Sequence, residues 1–225
     1  MLAVRSGLSW SAITQVETGR RTQVRPTTLA ALASALGVTS DYLISGRSLA
    51  PVMLNHYALP YASDDDFIAV AGPFVEEALA RSEPVLAVTS ARHRKLIEVR
   101  VGAAAAEVEF HDPRSWYREP ATALRRYSDF LHAKLDDGAS WVRVIGEPIW
   151  PARPEEAARQ WTRYESLLNL VFSASPSTVV CAYDTRSLDP EIVKQAHVTH
   201  PQTMHRDGTA SSPHYVDPGD YLVTL

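Results

Sequence analysis

From residue 52 to residue 199, short apolar runs rich in Val, Leu and Ala alternate with longer stretches of helical periodicity, and no other feature limits the fold as much. Strands are read over 56–61, 84–89, 106–110, 142–145 and 178–183. Helices are read over 67–81, 91–101, 121–135, 155–172 and 189–199, with Pro73 expected to kink the first of them. An apolar run bounded by turn residues suits a strand buried on both faces, and strands separated by helices form a mainly parallel sheet wrapped by those helices. The fold class expected is therefore an α/β body. In such sheets ligands bind at the carboxyl ends of the strands. Polar residues gather at those predicted ends: Tyr61, Ser63 and Asp64 after the first, Glu147 after the fourth, Tyr183, Asp184 and Arg186 at the fifth.

The first fifty residues differ. They contain Arg5, Arg20, Arg21, Arg25 and Arg47 against Glu17 and Asp41, a net charge of +3, whereas the remainder carries −7. A basic head on an acidic body suggests that the head meets a polyanion and the body does not. The head reads as a small all-α unit. Ser9 can cap a helix that begins at Trp10, Gly7 and Gly19 bracket it, and Pro26 opens a second helix. Leu29, Leu32, Ala33 and Leu36 then fall on one face at i, i+3, i+4 and i+7.

The spacing is that of a helix-turn-helix. The string Leu2-Ala3-x-x-x-Gly7-x-Ser9-x-x-x-Ile13-x-x-x-Glu17-x-Gly19, followed by Thr28-Leu29-x-x-Leu32-Ala33-x-Ala35-Leu36-Gly37-Val38, resembles the Cro/C1 repressor (xenobiotic-response-element) family. The resemblance implies a DNA-binding head over residues 1–46, with double-stranded DNA as partner. It implies that Trp10, Ser11, Thr14 and Gln15 face the major groove. Gln15 suits bidentate contact with adenine, and Ser11 tolerates several bases. Trp10 is open to two readings, contact with a thymine methyl or sugar, or cover for the core. Thr18, Arg20, Arg21 and Arg25 suit phosphates. The sequence starts inside the family pattern, without the helix that precedes Leu2 in that family. Part of the core formed by Leu2, Ile13, Leu29 and Leu32 is therefore expected to be uncovered. One such head reads few base pairs, so a homodimer is expected.

Residues 47–52 read as a linker, 53–218 as the body and 219–225 as a tail. The body holds His56-Tyr57-x-Leu59-x-Tyr61, Gly146-Glu147-Pro148-x-Trp150, Arg163-Tyr164-Glu165-Ser166-Leu167-Leu168-Asn169, Cys181-x-Tyr183-Asp184-x-Arg186 and Thr199-His200-Pro201. Together these resemble the MEDS family, the DcmR-like sensory domain of methanogens and methylotrophs, and more distantly the element order of the KaiC/RecA ATPases. The resemblance implies a sensory module for small hydrocarbon derivatives, joined to a DNA-binding head as a ligand-responsive transcriptional regulator. Tyr61, Glu147, Glu165, Asn169, Tyr183, Asp184 and His200 are expected to converge on a small-molecule effector.

Other chemistry finds less support. A nucleotide hydrolase needs a glycine-rich loop with Lys and Ser or Thr after the first strand; here that place holds Ala62-Ser63-Asp64-Asp65-Asp66. Glu147 and Glu165 can be read as an acid/base pair or as hydrogen-bonding groups of a pocket or a network. An enzyme is not expected, and a hydrolase-like reading with Glu147, Glu165 and His200 stands as an alternative. Another is a module without DNA contact. His197, His200 and His205 beside Asp184 fit no standard zinc spacing, so no metal or other cofactor is expected. Cys181, the single cysteine, is expected to be an inert packing residue in a strand, and its solitude fits a reducing cytoplasm. No apolar run approaches the ~18–20 residues that span a bilayer.

Overall fold

The computed structural model describes residues 2–21, 23–36, 38, 40–45, 53–150 and 155–223. The linker expected at 47–52 lies outside the described residues.

In the head, α1 (Leu2–Ser6), α2 (Trp10–Glu17), α3 (Pro26–Leu36) and α4 (Ser40–Ser45) follow one another closely. Ser9 caps α2 by accepting from the amide of Ala12 at 3.2 Å. Gly7 and Gly19 adopt φ of +66° and +67°, a conformation that costs any other residue strain, and so make the turns on either side of α2. The uncovering expected of the core does not fall on its centre. Ile13 and Leu32 are each only 6% exposed, and α1 packs against α3. Among the described residues of the head, the large apolar side chains left exposed are Val4, Trp10, Leu36 and Ile44.

The body is built on seven strands: β1 (Leu54–Tyr61), β2 (Val85–Val88), β3 (Val108–His111), β4 (Val142–Gly146), β5 (Ser177–Asp184), β6 (Gln202–His205) and β7 (Gly208–Ser211). Their order across the sheet is β3-β2-β4-β5-β1-β6-β7. Every pairing is parallel except the β6–β7 hairpin. Between the strands lie α5 (Asp64–Ala80), α6 (Ala91–Val101), α7 (Pro113–Trp116), α8 (Pro120–Asp136), α9 (Glu155–Val171) and α10 (Pro190–Thr199), with α11 (Pro218–Val223) last. The mostly parallel α/β architecture is thus the one expected.

Two cores flank the sheet. One packs Leu59, Phe67, Val70, Phe74 and Ile97 between the strands and α5 and α6. The other packs Trp116, Tyr127, Leu131, Trp161 and Leu168, drawn from α7, α8 and α9. The chain runs outward along the sheet from β1 through β2 to β3, then turns back through β4 and β5. Right-handed crossovers place helices on opposite faces for the two directions of travel.

Local chemistry sets several boundaries. α5 begins at Asp64, at the aspartates that favour a helix N-terminus: Ser63 caps it through the amide of Asp66, and the carboxylates of Asp64, Asp65 and Asp66 meet the positive end of its dipole. It continues as helix across Pro73. A 3₁₀ turn, Gly102–Glu107, precedes β3 and shortens the expected strand. The elements α7, β6, β7 and α11 had no counterpart in the sequence reading. β7 is exposed along its length, so it has no apolar alternation to betray it.

Gly146 ends β4 where the hydroxyls of Tyr117 and Tyr127, hydrogen-bonded to each other, press against the strand. A methyl group at this Cα would sit 2.5 Å from the Tyr117 hydroxyl and 3.0 Å from that of Tyr127. Gly146→Ala should therefore destabilise the body by about 1–3 kcal/mol through overpacking, read as a lower denaturation midpoint with an unchanged slope.

Candidate functional site

On the head, Trp10, Ser11 and Gln15 lie exposed along α2, with Thr14 partly covered, while Ile13 anchors the helix from its other side. Trp10 is 76% exposed, so it does not cover the core. Arg20 and Arg25 are exposed beyond the helix and Arg21 is half-buried. The hydroxyl of Thr18 donates to the carbonyl of Thr14 at 2.6 Å, so its proton is already committed within the helix.

In the body the seven residues expected at one effector site separate into two groups on opposite faces of the sheet. The reason is strand pleating: successive side chains point to opposite faces. Tyr183 and Asp184 are neighbours on β5, so they cannot share a face.

The first group is Tyr61, Glu147 and Asp184. They line a cleft of about 450 Å³ at the carboxyl ends of β1, β2, β4 and β5. These are the strand pairs where the following helices go to opposite faces, the usual location of a ligand crevice in an open α/β sheet. Glu147 Oε2 accepts from the amide of Ser90 at 2.7 Å and lies 3.0 Å from His93 Nδ1. The His93 ring stacks on Phe67 at 3.9 Å and meets the edge of Tyr61 at 5.3 Å. Asp184 grips Arg186 through two bonds of 2.8 and 2.7 Å, and this hydrogen bonding holds its carboxyl below the usual range. Burial, then the charges of Glu147 and Asp184, push the Tyr61 phenol well above its ordinary value. The cleft thus offers fixed carboxylates, an imidazole and guanidinium groups above an aromatic floor. A larger cleft of about 800 Å³ opens near the starts of β1, β4 and β5. There Arg143 is already held by Glu83 at 2.6 Å and Glu77 at 3.0 Å.

The second group is Glu165, Asn169, Tyr183 and His200, on the other face and fully enclosed except for partly buried Asn169. Two residues absent from the expected set complete it, His56 on β1 and Cys181 on β5. Of the three late histidines, only His200 enters this cluster among the described residues. Glu165 and Asn169, four residues apart on α9, share a face as their spacing requires. Asn169 donates to the carbonyl of Thr199 at 2.7 Å, which orients its amide and turns Oδ1 toward His56 Nδ1 at 2.9 Å. His56 Nδ1 therefore carries the proton, and Nε2 presents a lone pair. His200 Nδ1 lies 2.8 Å from the carbonyl of Ala196, which can only accept, so its Nε2 is likewise a bare lone pair. Cys181 Sγ stands 3.5 Å from both His56 Nε2 and Glu165 Oε2. Glu165 Oε2 is 3.9 Å from His56 Nε2 and 3.7 Å from His200 Nε2. Cys181 is a buried free thiol on a strand, as expected, and it also faces these polar groups. Two imidazole nitrogens, a thiol and a carboxyl converge on one point, a donor set able to hold a transition-metal ion.

Enclosure governs the protonation of this cluster. Burial lowers His56 to about 4 and drives His200 well below its ordinary value. Burial raises Glu165 to about 8 and pushes the Cys181 thiol far up. Around neutral pH the free cluster holds two neutral imidazoles, a protonated carboxyl and a protonated thiol. Nearby, the hydroxyls of Tyr164 and Tyr183 and the indole N–H of Trp150 are buried without a hydrogen-bond partner among the described residues.

Comparison with known families agrees with both halves. Residues 55–201 match the model described as MEthanogen/methylotroph, DcmR Sensory domain, and residues 1–43 match a helix-turn-helix model. None of the curated proteins matches the chain. Among the described residues no helix is long and apolar enough to cross a membrane.

The shifted carboxyl makes a pH test. Glu165 keeps its proton in the folded chain up to about pH 8, whereas the unfolded chain releases it near 4.5, so its contribution to stability falls as pH rises across that window. The histidines act oppositely, adding stability as pH rises towards 6.5. Above 6.5 the two unfolded histidines have only their last half proton each to lose, a gain of roughly 0.4 kcal/mol apiece, and the Glu165 term dominates. In chelator-containing buffer the wild type should lose about 2 kcal/mol from this term between pH 6.5 and 8. Glu165→Gln should abolish that loss in denaturant titrations at the two pH values.

Proposed function

We propose, from the premise that this chain belongs to the MEthanogen/methylotroph, DcmR Sensory domain family, that it is a transcriptional regulator whose helix-turn-helix head binds operator DNA under control of a small molecule held by the body. The observation that carries the reading is α2. Its core side is pinned by buried Ile13, and its outer side presents Trp10, Ser11 and Gln15, followed by a run of arginines. Such a helix fits the major groove with base-reading groups at its start and cations beside the phosphates. A homodimer gives the head enough base pairs for specificity. Both matched families are typically non-enzymatic. Against nucleotide hydrolysis, the N-terminus of α5 is capped by Ser63 and surrounded by three aspartates, which repel phosphate.

The effector is held in the cleft at the carboxyl edge of the sheet, by Tyr61, Glu147 and Asp184 with His93 and Ser90. The cleft opens to solvent beside the strand ends, and the remaining four residues of the expected set belong to the enclosed cluster instead. Its fixed carboxylates and guanidinium groups beside the rings of Tyr61 and His93 suit a small molecule with a polar group to orient and a short apolar part, in line with the family's hydrocarbon derivatives.

Two measurements test this. In operator-binding titrations, Gln15→Ala should relax discrimination at particular base positions by about 1–3 kcal/mol. Arg21→Ala should weaken all sequences alike and lower the salt slope by about one; the opposite assignment would mean that α2 lies rotated in the groove. For the body, short-chain alcohols, amines and alkyl halides should be screened by calorimetry. Binding by one of them should weaken at least ~10-fold in Glu147→Ala, because the truncation removes the partner of Ser90 and His93.

A further inference from the structure

The free cluster formed by His56, Glu165, Cys181 and His200 does not close as a hydrogen-bond network. Two imidazole nitrogens present lone pairs to one centre. Among the described residues, the thiol is the one donor within reach of His56 Nε2, at 3.5 Å, and the carboxyl stands further off. The carboxyl oxygen stands 3.7 and 3.9 Å from the two nitrogens, beyond hydrogen-bonding range. Among the described residues, His200 Nε2 and Glu165 Oε1 have no hydrogen-bond partner although both residues are almost wholly buried. Buried polar groups left unpaired are costly, and their persistence calls for a missing partner.

The same distances suit a shared ion. With bonds of about 2.0–2.3 Å, neighbouring ligand atoms on a tetrahedron stand about 3.3–3.8 Å apart. Here the separations are 3.5, 3.5, 3.7 and 3.9 Å, and the four donor atoms all lie within 4.8 Å of one another. Both histidines are already held in the right tautomer by outer partners, His56 by Asn169 and His200 by the carbonyl of Ala196. That arrangement is the usual support of metal-bound imidazoles. We infer that His56, Glu165, Cys181 and His200 form a buried four-coordinate site for a divalent transition-metal ion of the zinc class. Thiolate and imidazole exclude magnesium and calcium as preferred occupants. When the ion enters, the thiol and the carboxyl each give up a proton to solvent. One dication then faces two anions and two neutral rings, so the enclosed site is neutral. Four protein ligands leave no open position, which marks the site as structural: it ties β1 and β5 to α9 and to the end of α10. It lies on the opposite face from the effector cleft and stands or falls independently of that reading.

The single cysteine makes the test decisive on the unaltered chain. The full chain is stripped with a chelator, loaded with Co²⁺ and desalted. The expected result is one Co²⁺ per chain, intense visible bands of a tetrahedral ion and a near-ultraviolet thiolate charge-transfer band, which only Cys181 can supply. Zn²⁺ should displace the cobalt and raise the melting temperature of the stripped chain by on the order of 10 °C. Cys181→Ser should lose the charge-transfer band, and Asn169→Leu, which leaves all four ligands in place, should weaken cobalt binding ~10–100-fold by releasing His56. A weak octahedral spectrum without a thiolate band, no cobalt retained after desalting, or an unchanged melting temperature with Zn²⁺ would each overturn the inference, whether or not the variants fold.

Discussion

The parallel ladder between β1 and β5 runs in register from Leu54 opposite Ser177 to Tyr61 opposite Asp184, and the rest of the body is arranged around it. Both strands are buried on both faces at the middle of the sheet, so each residue must commit its side chain to one core or the other. The register makes Ala58 the partner of Cys181, which brings His56 and Cys181 onto the face covered by α9 and α10. The same ladder carries Tyr61 and Asp184 to the opposite face at the strand ends, beside α6. A slip of one residue would exchange the two faces and dissolve both constellations at once.

The two constellations obey different physics. The cleft is built from strand ends and helix starts, where backbone leaves the sheet and polar side chains reach water. Arg186 holds Asp184 in its charged form, and Glu147 accepts from the amide of Ser90 beside His93. The enclosed cluster lies in low dielectric, where charge is suppressed unless an ion compensates it, so its imidazoles lose and its acids keep their protons. The first environment suits reversible contact with a small molecule. The second suits a permanent tie between strands and helices.

Much of this was legible in the residues. The alternation of apolar runs and helical stretches announced the parallel α/β body, and Ser9, Gly7, Gly19 and Pro26 marked the helices of the head. Glu165 and Asn169, four apart, announced a shared helix face. The division of the candidate site was missed, although Tyr183 and Asp184 are adjacent on a strand and must diverge. By the same count Cys181 lies two residues before Tyr183 and so on its face. The pairing of His56 with Cys181 was not legible, because 125 residues separate them and no local pattern states which strand lies beside β1.

What the sequence determined by itself is what neighbours along the chain govern: the main alternation of helices and strands, which residues alternate across a strand, the arginines gathered in the head, the aspartates at the start of α5. What only the tertiary structure decided is which elements meet. Strand order, the turn-back of the chain after β3 and the covering of each face by particular helices depend on burying apolar surface between segments far apart in sequence. That burial is non-directional until the whole sheet is assembled. The convergence of His56, Glu165, Cys181 and His200 is a product of that assembly, four residues from four elements that share no local signal.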